Sequence, residues 1–326
     1  MAEPNVIERL DAAIDAILAG RQEGLALRDP ELAALLVIAA DLRDVPDPQF
    51  KQRLKADLLP GTKEEMMSTT ESRLEPGFQT IRAYLVLDGA SDFIQFLKDA
   101  FGAIENARFK GPGGGKIMHA EMMVGNSKLE LGDAPARVSP RPGALHLYLD
   151  DIDAVYQRAL RAGATSLMGP TDQFYGDREA ALRDRWGNSW YIATHLADPS
   201  TKPFRKGFRS LTPYLHARGA DRLMRFLKEA FGARAVEEPT VSAQGTIAHA
   251  VLQIGDSVIE LGEAHGQWQA IPMGIHLFVD DTDAVYERAL RAGGKSVRPP
   301  TDMPYGERGA TVADPFDNQW FIGTPR

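Results

Sequence analysis

The chain has 326 residues, 44% hydrophobic and 25% charged, an ordinary globular composition whose length suits two or three domains. A net charge of -8 argues against nucleic acid and anionic membranes as partners, since both call for a basic surface. There is no cysteine, which excludes disulfides, thiolate nucleophiles and sulfur-based metal sites.

The N-terminus, MAEPNVIERLDAAIDAILAG, lacks the basic stretch and unbroken apolar core of a signal peptide. The longest apolar run, Leu32 to Ala40, is far short of the ~18–20 residues of a membrane span, so a cytoplasmic location is expected. Residues 1–60 predict a small all-α segment of three short helices. Val6, Leu10, Ile14, Ile17 and Leu18 share one helical face, and Asp29-Pro30 and Asp47-Pro48 are helix starts. Residues 61–76, GTKEEMMSTTESRLEP, read as a polar tether.

From residue 77 the chain repeats itself at an offset of 130. Residues 77–196 align to residues 207–326 without a gap, and 51 of the 120 positions are identical. Two domains of one fold are therefore expected over these ranges, with 197–206 as a polar linker.

Within the first copy, TIRAYLVL at Thr80 reads as a strand. SDFIQFLKDAFG follows as a helix, with serine as its cap and glycine as its stop. KIMHAEMMV and SKLELG are two strands around the turn Gly125-Asn126. ALHLYLD is again a strand, DIDAVYQRALRAG a capped helix, and EAALRD with SWYIATH a late hairpin. Helices on one face of mostly antiparallel strands define an α+β class. The paired aspartates at Asp150 and Asp280 are expected to be helix caps rather than catalytic carboxylates.

AYLVLDGASDFIQFLKDAFGA, IMHAEMMVGNSKLELGD, HLYLDDIDAVYQRALRAGA and DQFYGDREAALRDRWGNSWYIATH carry a resemblance, echoed by PYLHARGADRLMRFLKEAFGA in copy two. The order resembles the vicinal oxygen chelate superfamily, in its PhnB-like branch of glyoxalase and bleomycin-resistance relatives. The resemblance covers nearly all of residues 77–326. It implies tandem domains, each of two βαβββ modules forming a sheet around a ligand cup, and an intramolecular pseudo-dimer. It leaves open whether modules pair within a copy or between copies.

Metal-dependent members resemble one another in four ligand positions. Aligned here, the first falls on Arg82 and Thr212, the second on Glu130 and Glu260, the third on Ala144 and Gly274, and the last on Tyr191 and Phe321. Only the glutamates suit a divalent ion. His146 and His276 lie two residues past the third position, on the same strand face, so a His–Glu pair is expected in each cup. Arg82 is a partner for Glu130, while Thr212 leaves Glu260 without one, which favours copy two as the active or binding half. Tyr84, Tyr214, Tyr148 and Phe278 share the cup parity and suit stacking on a flat ligand. Arg178 and Arg308 flank a glycine turn at the cup mouth, there to hold an anion or to pair with Asp184 or Asp314. His119 and His249 are read as structural, and Trp190 and Trp320 as core on the helix side.

The first expectation is thus small-molecule binding in a sheet cup without an obligatory metal. The second is a lyase or isomerase in which Glu260 and His276 bind a divalent metal or move protons. The third is a scaffold whose N-terminal helices bind a partner protein.

Overall fold

A computed structural model of the protein describes residues 79–111, 114–136, 138–196 and 208–326. The expected helices of residues 1–60 and both linkers lie outside the described residues. Contacts gather residues 71–326 into one compact unit.

The first module of copy one runs β1 (Ile81–Leu87), α1 (Ala90–Phe101), β2 (Ile104–Lys110), β3 (Ile117–Val124) and β4 (Ser127–Asp133). Its second module runs β5 (Ala144–Tyr148), α2 (Ile152–Arg161), β6 (Thr165–Asp172), β7 (Asp177–Arg183) and β8 (Ser189–His195). Copy two opens with β9 (Leu211–Ala217), α3 (Ala220–Phe231), β10 (Arg234–Ala235), β11 (Thr240–Val241), β12 (Ile247–Ile254) and β13 (Ser257–Glu263). It ends with β14 (Gly274–Phe278), α4 (Thr282–Arg291), β15 (Lys295–Met303), β16 (Glu307–Ala313) and β17 (Gln319–Pro325). The fold is α+β, with two tandem domains of two modules each.

The edge strands β2 and β6 carry no clean apolar alternation, because most of their residues are exposed or half-buried. Copy two replaces β2 with the stubs β10 and β11. Glu237, Glu238 and Pro239 separate them, and proline cannot donate to a ladder.

Helix starts follow two rules. Asp151 and Asp281, the second of each paired aspartate, accept the backbone N–H of Ala154 and Ala284, both at 3.0 Å. Ser91 is not the cap of α1. Gly89 opens that helix in the left-handed region at φ 78°, and Asp133 of β4 accepts the N–H of Gly89 and Ala90. Glu263 does the same for Gly219 and Ala220 at α3. A carboxylate from the neighbouring strand satisfies the orphan donors, so local sequence did not reveal the cap.

The strands form two sheets, each drawing on both copies. The first has the order β15-β16-β17-β14-β1-β4-β3-β2, and the second β10-β12-β13-β9-β5-β8-β7-β6. In the first, β1 of copy one pairs antiparallel with β14 of copy two, Ala83 opposite Ile275 and Arg82 opposite His276. In the second, β9 pairs with β5, Thr212 opposite His146. The modules thus pair between copies.

Two sets of contacts enforce this exchange. The β12–β13 turn of copy two caps the start of β1: Asp256 Oδ1 accepts from Thr80 N at 2.8 Å and Ser257 Oγ from Ile81 N at 3.1 Å. Copy one answers with Asn126 and Ser127 on Ser210 and Leu211. Gly255 leaves room for this: a Cβ there would stand 2.4 Å from Thr80 Oγ1. Meanwhile the helices hold each copy together. Phe93, Phe96 and Phe101 of α1 pack on Trp190, which β8 carries on the other sheet. Asp184 accepts from Trp190 Nε1 at 2.8 Å, and Asp314 from Trp320 Nε1 at 3.1 Å. Both tryptophans are fully buried on the helix side.

Ala83 and Ile275 form a pair without mutual hydrogen bonds, since Phe278 N bonds Thr80 O and the pattern alternates from there. Such pairs lie about 4.5 Å apart at Cα, within disulfide reach. In this cysteine-free chain, Ala83→Cys with Ile275→Cys is expected to crosslink within one molecule on oxidation. Intact mass and non-reducing gel mobility read the result; two persistent free thiols would mean pairing within each copy.

Candidate functional site

The face of each sheet opposite the helices, here the cup face, gathers the candidate residues. On the first sheet the centre is Glu130, 1% exposed. Arg82 Nη1 donates to its Oε1 at 2.8 Å and His276 Nδ1 to its Oε2 at 2.8 Å. The far nitrogen of His276 faces Glu307 Oε2 at 3.5 Å. Phe278 stacks on His276 at 3.9 Å and lies under the Arg82 guanidinium at 4.4 Å. Tyr84 packs on Phe321 at 5.0 Å, and its hydroxyl lies 3.5 Å from His119 Nδ1. Glu121 adds a contact to Lys128 at 3.0 Å.

Burial opposes charge on Glu130, yet His276 and then Arg82 outweigh it and hold the carboxyl down to about 2. Burial also opposes charge on His276. Glu130 and then Glu307 outweigh it and push the imidazole up to about 9. The first cup face is therefore closed by an ionic chain, Arg82–Glu130–His276–Glu307.

The second sheet centres on Glu260, 2% exposed. His146 Nδ1 donates to its Oε2 at 2.8 Å and His249 Nε2 to its Oε1 at 3.1 Å. Those histidines outweigh burial and hold Glu260 down to about 2. Burial opposes charge on His146, but Glu260 outweighs it and raises the imidazole. His146 is 7% exposed, and its Nε2 is buried without a partner. It stacks on Tyr148 at 4.6 Å, whose hydroxyl donates to Asp177 at 2.9 Å. Asp177 also accepts from His195 Nδ1 at 2.5 Å. Tyr191 Oη meets His216 Nε2 at 2.9 Å, and Tyr214 and Trp268 pack on the Tyr191 ring. Burial, then the charge of His265, lowers His216 to about 4. Burial, then Glu260, raises the Tyr214 phenol.

Three expectations need correction. Glu260 and His276 lie on different sheets, so they form no joint metal or proton site. Glu260 meets His146 and Glu130 meets His276, because each sheet joins the first module of one copy to the second module of the other. Neither Arg178 nor Arg308 pairs with Asp184 or Asp314. Arg178 is held by Asp153 and Asp172, Arg308 by Asp283 and Asp302, pinning a strand to the neighbouring helix start. Those bonds occupy both guanidiniums, so they do not stand ready for an anion. Finally, His249 is no bystander: it reaches Glu260 across the sheet. His216, Arg183 and Trp268 carry no expectation from the sequence, and Tyr191 enters there only as the last ligand position of the resemblance. His216 alternates with Thr212 and Tyr214 on one face, a signal that was present in the sequence.

The model of the Glyoxalase/Bleomycin resistance protein/Dioxygenase superfamily matches residues 83–192 and again 215–322. The chain belongs to this superfamily. An uncharacterised protein of Mycobacterium bovis is 36% identical over 120 residues, 33% of this chain and 78% of that protein. An uncharacterised protein of Mycobacterium tuberculosis is 35% identical over 120 residues, 33% of this chain and 70% of that one. Among solved structures, glyoxalase I from Zea mays superposes with a TM-score of 0.57 at 16% identity, covering 76% of this chain and 92% of that chain. A hypothetical protein of S. aureus, at 22% identity, covers 34% of this chain with a TM-score of 0.29. At such identities the maize enzyme shares the fold.

Superfamily members commonly hold a divalent metal, but the candidate donors here are engaged with one another. Both Glu130 oxygens accept hydrogen bonds, one from the Arg82 guanidinium and one from His276. Both Glu260 oxygens accept from imidazoles, whose N–H bonds point at the carboxylate rather than at a shared centre. Among the described residues, no group of three or more His, Cys, Asp or Glu is disposed to hold a metal ion. The standard metal arrangement does not fit these residues.

The first cup has a defined pH signature. His276 is raised, so its contribution is complete below its ordinary 6.5 and lost as pH rises through about 9. Glu130 is depressed, so its contribution is complete above its ordinary 4.5 and lost as pH falls through about 2. Unfolding free energy is expected to decline between pH 6.5 and 9, with a limiting slope of about 1.4 kcal/mol per pH unit for one proton. Denaturant melts across that range check it, and His276→Gln should flatten the limb.

Proposed function

We propose that this protein binds a small organic molecule on the cup face of the second sheet, without the standard metal arrangement of its superfamily. One observation carries the reading. Histidines on adjacent strands of that face, His146 of β5 and His216 of β9, each keep a buried ring nitrogen with no hydrogen-bond partner. Leaving a buried polar group unmade costs about 1–3 kcal/mol, so a ligand that completes these bonds is favoured by that amount. The equivalent nitrogen of His276 on the first sheet faces Glu307. Val86 stands at the position corresponding to His216.

The surroundings suit such a ligand. Tyr148, Tyr191, Tyr214 and Trp268 supply flat apolar walls, and a few polar groups orient what lies among them. The first sheet then serves as a filled counterpart that completes the pseudo-dimer. Its buried Arg82–Glu130–His276 chain is the kind whose disruption costs about 3–5 kcal/mol when one partner is removed. The absence of any described helix long and apolar enough to cross a membrane is compatible with a ligand taken from water.

Trp268 reports on the second cup face, whereas Trp186 packs on Phe93 and Phe96 at the helix side. In a screen of small aromatic compounds, binders are expected to change tryptophan emission in the wild type and in Trp186→Phe. The change should vanish in Trp268→Phe and survive chelation of divalent ions. A signal that persists in Trp268→Phe, or that chelator abolishes, counts against the reading.

A further inference from the structure

Buried nitrogens without a hydrogen-bond partner are rare in folded proteins, and each asks for an explanation. The second cup face carries three: His146 Nε2, His216 Nδ1 and Arg183 Nε. They surround one side chain, Tyr191. His146 stands beside Tyr191 in the β5–β8 register, and His216 touches the Tyr191 hydroxyl at 2.9 Å. Arg183 lies two residues from Ala181, the partner of Tyr191 on β7, and on the same strand face. Its charge acts on the Tyr191 phenol. His146 is more than nine-tenths buried.

Resting on the reading that this face binds a small molecule, we propose that its ligand is an uncharged aromatic compound whose carbonyl-type oxygens accept hydrogen bonds from these three nitrogens.

The donor count comes first. Arginine Nε always carries hydrogen. His146 gives one N–H to Glu260. In the charged form that Glu260 favours, its second N–H sits on Nε2. His216 Nε2 lies 2.9 Å from the Tyr191 hydroxyl, and we assign the hydroxyl as donor, so that a neutral imidazole keeps its single hydrogen on Nδ1. Three donors stand around Tyr191, and among the described residues none of these nitrogens has a hydrogen-bond partner.

The charge count comes second, and it points away from an anion. His146 is matched by Glu260. Glu179 lies four residues from Arg183 on the same strand face, and its field reaches His146 and Tyr214. Asp177 is held by Tyr148 and His195. The face lacks acceptors rather than negative charge. An oxygen with lone pairs and no net charge supplies the deficit without meeting Glu179 as a like charge. The ring of such a ligand lies against Tyr148, Tyr214 and Trp268.

Three probes share one ring and differ in a single group: acetophenone, benzoate and ethylbenzene. The full chain, with 15N-labelled histidine, is titrated with each and followed by the ring-nitrogen signals of His146 and His216. Acetophenone is expected to bind about tenfold tighter than either of the others, the value of one or two hydrogen bonds. It should shift both histidines. Arg183→Met and His216→Phe, which keep the bulk of each side chain, are each expected to cut the acetophenone-to-ethylbenzene ratio by about threefold. Benzoate binding tightest would overturn the inference in favour of an anion site. Acetophenone and ethylbenzene binding equally would overturn it while leaving the small-molecule reading intact. No shift of either histidine by any probe would overturn it as well, and the Trp268 screen then judges the broader reading separately.

Discussion

The structure depends on one antiparallel pairing made twice: β1 against β14, and β9 against β5. Each joins the first module of one copy to the second module of the other. Every residue of interest on a cup face inherits its partner from that exchange. Glu130 meets a histidine 146 positions away rather than the one sixteen residues downstream, and Glu260 meets a histidine 114 positions back. The helices work in the opposite sense, since α1 and Trp190 bind the two modules of copy one back to back. Strand pairing crosses the copies and core packing holds each copy, so neither half can leave without opening both sheets.

The exchange also lets two copies of one sequence diverge without losing the scaffold. The first cup face is an ion network, with Arg82, Glu307 and Lys128 around the shared Glu–His pair. The second has Thr212 where the first has Arg82, Val251 for Glu121 and Asp177 for Glu307. It has His216 where the first has Val86, and Tyr191 where the first has Phe321. Among the described residues, buried histidine nitrogens without a hydrogen-bond partner occur on the second face and not on the first. Duplication preserves the backbone, while a handful of substitutions sets the two cup faces apart.

Much of the fold was legible in the residues. The gapless repeat, the amphipathic helices and the alternation of β1, β3, β4 and β5 needed no tertiary information. The edge strands β2 and β6 were harder, because a strand with little buried surface carries little pattern. The caps of α1 and α3 were invisible locally, since Asp133 and Glu263 come from strands some forty residues away. The cup parity of Tyr84, His146, His276 and Glu260 followed from period two. The role of His249 did not, because its facing hung on one residue of register.

The sequence by itself determined the family, the duplication, and which side chains share a strand face, because these follow from local periodicity and from identity at a fixed offset. The resemblance sets Arg82, Thr212, Ala144 and Gly274 against the superfamily's usual ligand positions. Only the tertiary structure decided which copy's histidine meets which glutamate, and where Arg178 and Arg308 spend their charges. Module pairing is a choice between two arrangements with the same strands and the same alternation. The contacts that settle it, Asp256 on Thr80 and Asn126 on Ser210, join residues that no local pattern connects.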